Sequence, residues 1–178
     1  MAIGPNQQIY VSCQSIQSDL KAVQQNANGT FEYGVLLLLP APSRYFLITQ
    51  DGELLMAAMY MQVGIFKKNG SGYNLDQTLV EGNEVRGLVL SADRQELVSC
   101  SDVLNVYRHN GTQYALNQSM SLGFNCFEVN FMDNLLEVHG FSSQIRFYEF
   151  NGSGYAPKFT IPTNESKIEE FSIFEGGR

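Results

Sequence analysis

The sequence predicts an all-β chain assembled from four copies of one small antiparallel unit, and three observations carry that prediction. The dipeptide Asn-Gly occurs at 28–29, 69–70, 110–111 and 151–152, at successive intervals of 41 residues. Three of the four follow an alternating apolar stretch: Val63-Gly64-Ile65-Phe66, Leu104-Asn105-Val106-Tyr107 and Ile145-Arg146-Phe147-Tyr148. All four lead through Ser or Thr to an aromatic, namely Phe31 and Tyr33, then Tyr73, Tyr114 and Tyr155. Upstream in three units an Asp-containing turn parts two apolar runs, around Asp51, Asp93 and Asp133. The best helix candidate, 14–25, is short and polar, which leaves no helical alternative.

Each element has a local reason. Asn-Gly tolerates positive φ at both central positions of a type I′ turn, so each copy predicts a hairpin. The turn acids cap nearby backbone N–H groups, which explains why one recurs per unit. A further tight connection, such as Ser101-Asp102-Val103, lies between these two hairpins, so a unit holds four short strands. The Asp turn of the fourth unit, Val129-Asn130-Phe131-Met132-Asp133-Asn134-Leu135-Leu136, is shorter than its siblings.

Four-stranded units repeating every ~40–45 residues are the signature of β-propeller blades. One domain, 1–178, is therefore expected, with blades at about 1–40, 41–82, 83–123 and 124–163. The segment 168–178 reads as a first strand running into its turn, and 4–13 as a turn followed by a second strand. A closing strand at about 168–175 would then complete the first blade. Three assemblies fit: a closed four-bladed monomer, two chains forming an eight-bladed ring, or a fragment completed by another chain. An open arc would bare two blade faces. At roughly 600 Å² each and ~25 cal/mol/Å², each forfeits about 15 kcal/mol, as much as a whole domain's stability. A two-chain ring with exchanged closing strands is the favoured assembly.

At these turns the chain resembles the WD40 family of β-propellers. Thr49-Gln50-Asp51-Gly52 and Ser91-Ala92-Asp93-Arg94 approximate that family's Ser-Pro-Asp-Gly turn, and Ser101-Asp102 with 104–108 its Ser-x-Asp and Val-x-Val-Trp-Asp strand. The resemblance is strongest over 47–161. Phe66, Tyr107 and Tyr148 hold the Trp place, with Lys67, Arg108 and Glu149 where Asp would follow, and the Gly-His pair is missing. The resemblance implies a scaffold that binds other proteins.

Composition narrows the function. The net charge is −7 and only 16% of residues are charged, while 14 Asn and 13 Gln supply much of the polarity. Little attracts a phosphate backbone, so nucleic-acid binding is not expected. No apolar run, 35–39 and 54–61 included, approaches the length of a membrane helix, and MAIGPNQQ does not read as a signal peptide. Three cysteines without metal-ligand spacing predict a reducing, cytoplasmic setting, with Cys13 and Cys100 as small buried packers at equivalent repeat positions. No metal and no cofactor are expected.

Chemistry finds little support. His109 precedes a hairpin turn and reads as solvated; His139, in Glu137-Val138-His139-Gly140, reads as structural. No nucleophile-elbow, zinc or phosphate-loop pattern occurs. Six Asn-x-Ser/Thr sequons begin at Asn28, Asn69, Asn110, Asn117, Asn151 and Asn164. Four coincide with the Asn-Gly turns, so the hairpin accounts for them and no glycan is expected. No catalytic residue is assigned, and the chain is expected not to be an enzyme.

What remains is surface recognition. The loops at one end of the blades fall at 40–44, 81–86, 122–126 and 163–167, together with 59–62, 101–103 and 141–143. Met59, Tyr60 and Met61, with Phe124 and Phe141, are the candidate protein-binding residues, because Met and aromatic side chains anchor adaptable interfaces. The expected function is a non-enzymatic protein-interaction scaffold, binding a protein partner or a second copy of itself. A carbohydrate- or small-molecule-binding propeller, lectin-like, is the rival.

Overall fold

The computed structural model describes residues 2–3, 9–12, 19–25, 30–41 and 43–163. Within them the chain is all β. Sixteen strands form four antiparallel four-stranded sheets, each in sequential order. The first sheet holds β1 (Ala2–Ile3), β2 (Ile9–Ser12), β3 (Asp19–Gln25) and β4 (Phe31–Leu38). The second holds β5 (Ser43–Ile48), β6 (Leu54–Met59), β7 (Gln62–Asn69) and β8 (Gly72–Val80). The third holds β9 (Gly87–Leu90), β10 (Glu96–Cys100), β11 (Val103–His109) and β12 (Tyr114–Ser121). The fourth holds β13 (Cys126–Met132), β14 (Leu135–Gly140), β15 (Gln144–Phe150) and β16 (Tyr155–Pro162). The first strand of the first sheet is only two residues long. The proposed closing strand at 168–175 lies outside the described residues.

The chain divides into two compact units, 1–88 and 89–178. In each, the second strand of a sheet is buried on both faces, as β6, β10 and β14 show. That accounts for near-continuous apolar sequences such as Leu54-Leu55-Met56-Ala57-Ala58-Met59, where alternation would mark a strand wet on one side. In the first unit, Leu55, Ala57, Met59, Phe66 and Tyr73 share one cluster. In the second, Val98, Cys100, Leu104 and Val106 of the third sheet pack with Val129, Leu136, Val138 and Tyr148 of the fourth.

The repeat is visible bond by bond. Gly52 N donates to Thr49 O at 2.8 Å, and its counterpart Arg94 N to Ser91 O at 2.9 Å. Asp51 Oδ1 accepts Glu53 N and Thr49 Oγ1, and Asp93 Oδ1 accepts Gln95 N and Ser91 Oγ, as turn caps do. The ladders to β8, β12 and β16 each slip by one residue, skipping Asp76, Asn117 and Lys158, which are 41 apart.

Two expectations are corrected. The pair at 28–29 lies outside the described residues; at 69–70, 110–111 and 151–152 the Asn-Gly hairpins exist, but Asn does not share the positive-φ positions. Only the glycines do, Gly70 at 61°, Gly111 at 98° and Gly152 at 95°. Asn110 and Asn151 instead fold their Oδ1 over the turn, each accepting two backbone N–H groups and a hydroxyl. The second correction concerns cysteine. Cys100 and Cys126 form a disulfide, with their Cα atoms 5.8 Å apart, joining the end of β10 to the start of β13. Cys100 is therefore a covalent staple rather than a packer, and the argument from cysteine parity to a reducing compartment falls. Sequence spacing could not pair them because they come from different sheets. Cys13 lies outside the described residues.

Candidate interaction surface

In every fully described sheet, the hairpin tip between the second and third strands accepts backbone hydrogen bonds from the connection leaving the fourth strand. Glu81 N donates to Met61 O at 2.8 Å, Leu122 N to Asp102 O at 2.9 Å and Thr163 N to Ser143 O at 2.7 Å, one bond per repeat. Val85 N to Tyr60 O and Cys126 N to Ser101 O form a second matched pair. These bonds hold the tips at 60–61, 101–103 and 141–143 each beside the connection that follows its own sheet's fourth strand, at the same end of each of these three sheets. Backbone fixed in this way presents side chains without a large ordering cost on binding.

The five candidate residues have different fates. Met59 is 1% exposed and belongs to the core. It ends a strand covered on both faces, and its Cε occupies the space above Gly64, only 2.5 Å from where a Cβ would stand. It cannot contact a partner from there. Tyr60 and Met61 are exposed, 64% and 42%, as the two residues joining β6 to β7. Tyr60 has φ 46°, a region bulky side chains rarely occupy.

In the second unit Phe141 is 46% exposed at the β14–β15 tip, its ring edge-on to Phe127 at 4.5 Å. Its N–H donates to Asn125 O at 2.9 Å. Phe124 is half-buried against the core and lies under the Arg146 guanidinium at 4.7 Å, which also donates to Leu122 O at 2.7 Å. Phe124 thus shapes the 122–126 connection more than it offers free surface.

A second feature of this unit escaped the sequence reading. A cleft of about 640 Å³ opens at the other end of the sheets, among Asp93, Glu96, Arg108, Phe131, Asp133 and Tyr155. Tyr73 and Tyr114 each donate a hydroxyl to the backbone of their own sheet's Asp turn, at Gly52 O and Arg94 O. Tyr155 does not. The Asp turn of the fourth sheet has only Asp133 and Asn134 between paired strand residues. Tyr155 Oη reaches instead into the preceding sheet, donating to Glu96 Oε2 at 2.6 Å. Arg108 holds the other oxygen of Glu96 from Nε and Nη2, both at 2.8 Å, and stacks over Phe150. Burial first, and the Glu96 carboxylate second, push the Tyr155 hydroxyl far above its ordinary value. The shortened turn was the available signal.

His109 is half-buried, its Nδ1 accepting Gly111 N at 3.2 Å. His139 is fully buried beside Glu128, Nε2 to Oε2 3.2 Å, with the buried Glu137 on the same face. Burial raises the Glu137 carboxyl, opposed by His139 and Asn130. Among the described residues, no group of three or more His, Cys, Asp or Glu is placed to hold a metal ion. No helix among them is long and apolar enough to cross a membrane.

Consecutive four-stranded antiparallel sheets, one per repeat, define a β-propeller fold. The chain is similar to a putative 6-phosphogluconolactonase from Bacteroides fragilis, with TM-score 0.73 and 14% identity over 91% of this chain and 54% of that one. It is also similar to the β-propeller domain of Myceliophteria thermophila Cps50 (Swd1), with TM-score 0.71 and 10% identity over 90% and 57%. U3-55K matches with TM-score 0.62 and 10% identity over 74% and 42%. The chain thus spans about half the length of these structures, and at such identities the likeness is one of fold. No protein-family model and no curated protein matches the sequence.

Proposed function

We propose that this propeller segment is a non-enzymatic protein-interaction module. Protein partners are engaged by the tips between second and third strands, with Tyr60 and Met61 as the contact residues of the first unit and Phe141 as that of the second taken by itself. The WD40-like turns and the propeller domain of Cps50 (Swd1) among its structural neighbours support that class of function.

The observation carrying the reading is Tyr60. A two-residue connection at positive φ suits Gly or Asn, and a bulky residue there costs of order 1–3 kcal/mol. The chain bears that cost for a side chain that is 64% exposed. Such a residue contributes little to the fold and much to a contact.

The test places a photoreactive amino acid at 60 or 141 in the natural host, with exposed Gln113 at the opposite end of a blade as control. Adducts from 60 and 141, lost when wild-type protein competes and kept when a Tyr60→Asn, Phe141→Ser variant competes, support the reading. Equal adducts from all three positions refute it. Solution mass then separates a second copy from an unrelated partner.

A further inference from the structure

We propose that this chain folds in an oxidising compartment and carries N-linked glycans on Asn110 and Asn151. Two independent features lead there. One is the buried disulfide between Cys100 and Cys126, 1% and 0% exposed, set inside the core that joins the third and fourth sheets. A bond so enclosed must close as the chain folds, and structural disulfides form and persist where thiols are oxidised. The other is the geometry of the sequons.

Asn110 and Asn151 stand exposed at hairpin tips. Asn110 Oδ1 accepts Thr112 N at 3.1 Å, Thr112 Oγ1 at 2.9 Å and Gln113 N at 3.1 Å. Asn151 Oδ1 is held in the same way by Ser153 and Gly154. An amide group is planar, so an oxygen fixed toward the turn directs Nδ2 away from it. Gly111 and Gly152 beside these residues have open space where a Cβ would stand, so the tips are uncrowded. The finished fold therefore accepts a sugar on Nδ2 without breaking the turn. The pattern is not confined to turns either, since the Asn117 sequon lies within β12, exposed at the skipped ladder position.

The chemistry is glycosyl transfer from a polyisoprenyl-pyrophosphate oligosaccharide. Nδ2 bonds to the sugar C1 and loses one proton, while the C1–oxygen bond breaks and its electron pair leaves on the lipid pyrophosphate. The hydroxyl required two residues on is supplied by Thr112 and Ser153. This inference replaces the cytoplasmic expectation drawn from the cysteine count and is independent of which partner the tips bind.

The protein is isolated from its own organism, alkylated before reduction, digested, and treated with peptide-N-glycosidase in heavy-oxygen water. Heavy-oxygen aspartate at positions 110 and 151, with Cys100 and Cys126 alkylated only after reduction, is the expected result. Unmodified asparagine at both positions overturns the proposal, as does alkylation of either cysteine before reduction. Thr112→Ala and Ser153→Ala keep both asparagines, and each should remove one glycosidase-sensitive gel shift. Persistence of both shifts overturns the proposal.

Discussion

Replacing Cys100 and Cys126 together by alanine tests how far the disulfide, rather than apolar packing alone, holds the third and fourth sheets together. The bond closes a loop of sequence separation 26. Loop-closure entropy for a cross-link of that length gives about 3.5 kcal/mol at 25 °C. Both sulfurs lie in the shared core, so trimming them to methyl groups adds about 1–2 kcal/mol of lost packing. The sum is a large part of the ~5–15 kcal/mol that holds a domain together. Urea unfolding followed by circular dichroism is the assay. The midpoint should fall steeply and the slope m should rise, because an unfolded chain without the cross-link exposes more surface. A variant with the parent's midpoint and slope would show that the staple contributes nothing and that the core is sufficient.

Tyr155→Phe should destabilise by about 1.5–3 kcal/mol, since it removes a bond to a carboxylate, against about 1 kcal/mol for Tyr73→Phe or Tyr114→Phe, which lose bonds to neutral carbonyls. Equal costs in urea titrations would contradict the rerouted hydroxyl. Gly140→Ala should cost about 2–3 kcal/mol, because the added Cβ meets Asn125 O and the Cys126 Cα, and a melting temperature within error of the parent would refute that contact. Glu137 has a carboxyl raised by burial in the folded state, so its contribution is most favourable below the ordinary Glu range and is lost as pH rises through the folded value. Glu137→Gln should accordingly raise the melting temperature at neutral pH and leave it nearly unchanged in acid, and a lower value at neutral pH would contradict this sign.

Much of the architecture was legible because the repeat is a repeat of hydrogen bonds. Asn-Gly at 41-residue spacing located the hairpins between third and fourth strands at 69–70, 110–111 and 151–152, and the Asp turns located those between first and second strands in the same three sheets. The reason for the trailing aromatic was not legible. Tyr73 and Tyr114 clamp a turn some twenty residues away, and no local pattern announces such a bond. Met59 misled because a Met-Tyr-Met run looks like a surface anchor, whereas burial is set by position: the last residue of a second strand is still covered on both faces. Gly140, the last residue of β14, is buried in the same way, whereas Phe141 lies one residue further on, in the tip, and is exposed. The disulfide joins residues of two sheets, and three cysteines offer no spacing from which a pairing follows. The cleft arose from the shorter turn at Asp133 and Asn134, which frees Tyr155 from its usual carbonyl.

The residue skipped in each fourth-strand ladder bears on solubility. β8, β12 and β16 border their sheets and display Leu75, Val80, Leu116, Phe159 and Ile161 to solvent. Straight apolar borders of that kind recruit further strands and seed fibrils. One extra residue per border, at Asp76, Asn117 and Lys158, bends the backbone and breaks the register that an incoming strand would need. Neighbouring molecules are thereby denied a template along the flanks.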